Sequence, residues 1–74
     1  MTVTIQLVGV FRSGRFNDAV REYPAATRVR EVVDELDIPA PLLGIVLING
    51  IHAGIEDILS DGDTLCLLPF IDGG

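Results

Sequence analysis

Only one stretch of this sequence carries a helical apolar stripe, and the rest of the chain has to be arranged around it. Val29, Val32, Val33 and Leu36 fall at i, i+3, i+4 and i+7, along one side of an amphipathic helix. Thr27 stands where an N-cap would, and Pro39 stops the helix within a few residues of Leu36. Its charges run against the macrodipole, with Arg28 and Arg30 at the start and Asp34, Glu35 and Asp37 at the end. One short helix can bury its stripe only against other elements, and the remaining segments read as strands.

Residues 2–10 alternate, with Val3, Ile5 and Leu7 on one side and Thr2, Thr4 and Gln6 on the other, the pattern of a half-buried strand. Arg12-Ser13-Gly14 turns the chain, and residues 15–23 return as a second strand. Residues 44–48 form a short apolar strand, Asn49-Gly50 is a two-residue hairpin turn, and residues 51–53 are a brief return. Residues 56–59 read as a single helical turn. Asp61-Gly62 leads into a last strand over residues 64–68, which Pro69 ends because it has no N–H for a ladder. The resulting class is α+β, with one main helix packed across a small mixed sheet.

At 74 residues and 7.9 kDa the chain is one domain, with no room for a cofactor cleft and a second lobe. Hydrophobic residues make up 49% and mean hydropathy is +0.48, which places it among folded rather than disordered chains. The longest uncharged apolar run, residues 38–55, is broken by prolines and glycines and is no membrane span. No signal peptide is recognisable at the N-terminus, so a cytoplasmic location is expected. The single Cys66 excludes an internal disulfide framework, a four-cysteine zinc site and an iron–sulfur cluster held by one chain.

Five arginines and no lysine face eleven acids, for a net charge of −6. That balance argues against nucleic acid and against an anionic membrane as partners. The charge is also segregated: every arginine lies in the first thirty residues, while residues 31–74 hold nine acids and no cation. Two readings stay open for the acidic half, a solvated surface or a docking surface for a basic enzyme.

Conventional catalysis has little to work with. His52 is the sole histidine and is expected exposed after the hairpin turn, and neither Ser13 nor Ser60 sits on a nucleophile elbow. Cys66, inside a strand, reads as packing. Asp61-Gly62-Asp63 is too short for a calcium loop and is explained by turn chemistry, so no metal site is expected. An acyl carrier is excluded, because Ser60 has neither the Asp-Ser-Leu context nor a helical bundle around it. What remains is the end. The chain divides into a folded part, residues 1–69, and a projecting tail, Phe70, Ile71, Asp72, Gly73 and Gly74. Five residues reach at most about 17 Å. Two glycines without Cβ suit a narrow channel and leave the terminal carboxylate as the least hindered reactive group.

Three segments then resemble the ubiquitin-like sulfur carriers. Residues 23–36, from Tyr23-Pro24 into the valine-led helix, resemble their loop-and-helix segment. Residues 45–50, Ile45 to Asn49-Gly50, are similar to their third strand and turn. Residues 61–69, Asp61-Gly62-Asp63 through Pro69, resemble their entry to the last strand, with Gly73-Gly74 beyond. The family includes the small subunit of molybdopterin synthase and the sulfur carrier of thiazole synthesis, and its fold is the β-grasp. The resemblance implies that an activating enzyme adenylates Gly74 with ATP and magnesium, and that a sulfurtransferase or other sulfur donor converts the adenylate to a thiocarboxylate. The large subunit of a synthase then takes the sulfur. The chain itself would bind no cofactor and would be a carrier rather than an enzyme. The longer first hairpin leans toward the molybdopterin (or tungstopterin) branch. Phe70 stands where that branch usually has a second proline, Asp72 where a small residue is common, and Ile51 where a polar one is frequent.

The thiazole branch, a protein modifier joined through Gly74, and a non-catalytic β-grasp interaction module are the alternatives. The absence of lysine suits a carrier whose acyl-adenylate must escape amines of its own kind. By alternation, Val46, Ile48, Leu65 and Leu67 point to the helix, and Ile45, Leu47, Cys66 and Leu68 face outward. In ubiquitin-like proteins that open face typically meets the activating enzyme.

Overall fold

A computed structural model describes residues 1–70. Strands β1 (Thr2–Leu7), β2 (Asp18–Glu22), β3 (Leu43–Ile48), β4 (Ile51–Ala53) and β5 (Thr64–Pro69) form one sheet in the order β2-β1-β5-β3-β4. β1 and β5 pair in parallel at its centre and the other pairings are antiparallel. Helix α1 (Val29–Glu35) crosses one face, and Val29, Val32, Val33 and Leu36 are all buried. They join Val3, Ile5 and Leu7 of β1, Val46 of β3 and Leu65 and Leu67 of β5 in one core. The two periodicities, 3.6 in the helix and 2 in the strands, thus converge on one layer. Asn49 and Gly50 take φ values of 53° and 81°, as a primed hairpin turn requires.

Four expectations need correction. β1 ends at Leu7, not residue 10: the Val8 N–H reaches the Leu67 carbonyl, Gly9 turns to φ 61°, and a 3-10 helix (Gly9–Arg12) folds Phe11 into the core. β2 begins later than residue 15, at Asp18, because residues 13–17 form the return from that helix. Residues 56–59 are not a helical turn. Asp57 instead closes a tight turn on Gly54, by its carboxylate to the Gly54 N–H at 2.7 Å and by its own N–H to the Gly54 carbonyl at 3.1 Å. The carbonyls of this loop serve the start of α1, accepting from Arg30 N–H at Ile55 (2.8 Å) and from Val29 N–H at Asp57 (3.0 Å). They satisfy two of the donors that a helix leaves open.

The cap is the fourth. Thr27 donates its hydroxyl back to the Pro24 carbonyl (2.8 Å), so Arg28 becomes the N-cap, and the Glu31 carboxylate accepts the Arg28 N–H at 2.7 Å. Glu31 thereby puts an acid where the macrodipole favours one. Arg28 donates to the Glu56 carbonyl, and Arg30 pairs with the Glu56 carboxylate. At the other end the missing cation arrives from outside the helix. Arg15 donates to the carbonyls of Leu36 (2.8 Å), Asp37 (3.0 Å) and Phe11 (3.2 Å), tying the C-terminus of α1 to the 3-10 helix.

Candidate functional site

The tail leaves from the middle of the sheet, because β5 is the third of five strands. Pro69 does not end the ladder. It pairs with Leu43, and the next N–H, of Phe70, donates to the Leu42 carbonyl. Successive N–H groups point to opposite sides of a strand, so the position where Pro69 lacks one faces β1, which has already ended at Leu7. Phe70, expected to open the projecting tail, is therefore still tied to the sheet by its backbone, while the residue as a whole is 68% exposed. Ile71, Asp72, Gly73 and Gly74 lie outside the described residues.

On the face away from α1, Ile45 stands opposite Leu68, and Leu47 opposite Cys66. The four residues named from alternation thus form two adjacent cross-strand pairs on the two strands at the tail's base. Ile45 is exposed, and Leu47, Cys66 and Leu68 are half-buried. Gly44, Ile45, Leu68, Pro69 and Phe70 line a shallow, mostly apolar depression of about 270 Å³. The row through Leu47 and Cys66 continues to exposed His52 on one side and to Gln6 and Asp18 on the other.

Burial pushes the Cys66 thiol up, and Asp18 adds to the shift across the sheet. The thiolate, the nucleophilic form, is correspondingly disfavoured. Among the described residues, most of the acids after residue 30 are occupied. Besides Glu31, Glu56 and Asp57, the Asp61 carboxylate accepts the Thr2 N–H (2.7 Å), and Asp63 accepts from Ser60 N–H (2.8 Å) and the Asn49 amide (2.9 Å). Glu35 accepts from Arg21 (3.2 Å) and Tyr23 (2.7 Å). Among the described residues no group of three His, Cys, Asp or Glu side chains is placed to hold a metal, and no helix is long and apolar enough to cross a membrane.

Two glycines at the base of the tail were not singled out by the sequence. Gly44 and Gly9 approach Phe70 and Pro69 from either side. The signal was a glycine inside an apolar strand, which marks a bulge or a close backbone approach.

A five-stranded mixed sheet gripping one helix, with its central strand leading to the C-terminus, defines a ubiquitin-like β-grasp protein. Solved structures share it. Putative molybdopterin converting factor subunit 1 from Pyrococcus furiosus superposes with a TM-score of 0.77 at 21% identity, covering 96% of this chain and 99% of that one. Small archaeal modifier protein 1 of Haloferax volcanii gives 0.75 at 18% identity, covering 95% and 98%. A chain from the complex of subunits 1 and 2 of the molybdopterin-converting factor of Helicobacter pylori gives 0.68 at 20% identity, covering both chains fully. No curated protein sequence matches the chain. Residues 6–74 match the ThiS family, and the chain belongs to that family of ubiquitin-like sulfur carriers.

Proposed function

We propose that this chain carries sulfur as a thiocarboxylate on Gly74 and delivers it in molybdopterin (or tungstopterin) biosynthesis, acting in the cytoplasm and leaving catalysis to larger partners. The observation that carries this reading is a family match running through Gly73-Gly74, on a fold whose central strand leads directly to those residues. A carboxylate is a poor electrophile. Attack of its oxygen on the α-phosphorus of ATP, with magnesium on an activating enzyme, gives an acyl-adenylate and releases pyrophosphate. Hydrosulfide attacks the acyl carbon and AMP leaves; where a sulfurtransferase supplies the sulfur as a persulfide, the same attack gives an acyl disulfide, and a second thiol reduces it to the thiocarboxylate, leaving a disulfide on the donor. The resulting thiocarboxylate is a good sulfur nucleophile toward a pterin precursor on a synthase large subunit: its sulfur displaces an oxygen leaving group from a precursor carbon, and hydrolysis of the acyl–sulfur bond then leaves the sulfur on the pterin and restores the carboxylate.

The Helicobacter structure holds subunit 1 together with subunit 2, which supports a large subunit as one partner. The apolar pairs Ile45/Leu68 and Leu47/Cys66 beside the base of the tail are the surface on which we place partner docking, because partly exposed apolar groups clustered near a reactive end mark such sites. A second reading, attachment of Gly74 to lysines of other proteins, uses the same activated carboxylate and is favoured by the shared fold of the Haloferax modifier protein. The test is to supply the thiocarboxylate form to a molybdopterin synthase large subunit with its sulfur-free pterin precursor, and in parallel to a thiazole synthase. Dithiolene formation with the first is expected. Sulfur consumed only by the second moves the chain to the thiazole branch, and Gly74 adducts on other proteins support the modifier.

A further inference from the structure

The end of β5 is gripped from both sides immediately before the tail. At Gly44, where β3 bulges against β5, an added Cβ would stand 2.7 Å from Phe70 Cα, 2.8 Å from Phe70 N and 2.9 Å from the Pro69 carbonyl oxygen. These are backbone atoms, which cannot swing aside as the tip of a flexible side chain can. Gly44 does not have a positive φ, so its own conformation does not call for glycine. The close approach does. It lets the Phe70 N–H reach the Leu42 carbonyl beyond the bulge. On the opposite side, a Cβ at Gly9 would come within 3.2 Å of Pro69 Cγ, so the proline ring rests on bare backbone there too.

We propose that Gly44, seconded by Gly9, is a positioning residue: it clamps Pro69–Phe70 so that the chain beyond Phe70 starts from a fixed point. This deepens the carrier reading and rests on it. The four residues after Phe70 can span at most about 14 Å, so where Phe70 sits bounds where the carboxylate can reach. Misplacing a reacting group by about 1 Å can cost on the order of 100-fold in rate.

The experiment uses full-length protein with its activating enzyme and ATP, following pyrophosphate release, alongside amide hydrogen exchange at Phe70. Gly44→Ala is expected to unfold cooperatively, to lose exchange protection at Phe70, and to keep KM within about twofold while kcat falls about tenfold or more. Should Gly44→Ala fail to fold, Pro69→Ala loosens the same clamp without adding bulk and is expected to lower kcat severalfold at constant KM. A variant that loses Phe70 protection yet keeps kcat overturns the positioning role. A raised KM with unchanged kcat overturns it too, because Gly44 would then act in docking. No pyrophosphate release from the unaltered protein would overturn the carrier reading itself, a result distinct from either.

Discussion

Tyr23 shows how one side chain couples the outer strand to the helix. Its hydroxyl donates to Glu35, which also accepts from Arg21, and Arg21 lies over the Phe16 ring at 5.0 Å. Burial first, and then the Glu35 hydrogen bond and charge, push the phenol from its ordinary 10.0 up to about 12. The unfolded chain therefore gives up this proton near pH 10 while the folded chain holds it until about 12. The contribution is fully present below pH 10 and is lost as pH rises through the folded value. Denaturant titrations between pH 9 and 12 are expected to show stability falling by roughly 1 kcal/mol after allowance for solvent screening. Tyr23→Phe is expected to remove most of that slope, and an unchanged slope would place the titration elsewhere. Nothing in the spacing of Tyr23 announced this link, because it joins residues twelve apart through tertiary packing. The strand position of Cys66 was legible, and it places the thiol on the half-buried open face rather than in the core.

Among the elements, α1 was legible on its apolar side and illegible at its ends. The stripe from Val29 to Leu36 follows from period alone, whereas the caps come from loops distant in sequence: residues 55–57 at the start and Arg15 at the finish. Arg15→Ala is expected to destabilise the fold by about 1–2 kcal/mol, since it frees carbonyls at a helix C-terminus and removes the cation that favours that end. A lower urea midpoint at unchanged slope would register it. Arg15→Lys is expected to recover only part, because an ammonium cannot reproduce the planar fork that serves Leu36, Asp37 and Phe11 together. The 56–59 segment was misread for the same reason: its carbonyls are committed to α1, a competition that local propensity does not register. Pro69 remains in the ladder because its missing N–H faces a side from which β1 has withdrawn, which depends on strand order rather than on proline itself.

At the scale of the molecule, the sheet brings the proposed docking face and the base of the tail together on β3 and β5. Alternation was enough to sort Ile45, Leu47, Cys66 and Leu68 from the buried Val46, Leu65 and Leu67. It was not enough to reveal the Gly44 bulge, which becomes visible only once β5 is laid beside β3. Leu47→Asp adds a charge to a half-buried open-face position without touching the core. It is expected to raise KM for ATP-dependent activation roughly tenfold, from about 1.5 kcal/mol of lost apolar burial, with kcat little changed. Unchanged kinetics in a folded variant would remove that face from the docking surface. A lysine-free composition fits the same picture, since copies of this chain offer no side-chain amine to an activated neighbour. The most direct test of the carrier role is the intact mass of the protein after incubation with its activating enzyme, ATP and sulfide. The account predicts the exchange of one oxygen for one sulfur at Gly74, dependent on ATP and lost when Gly74 is deleted; an unchanged mass under conditions where the enzyme activates a known carrier would contradict it.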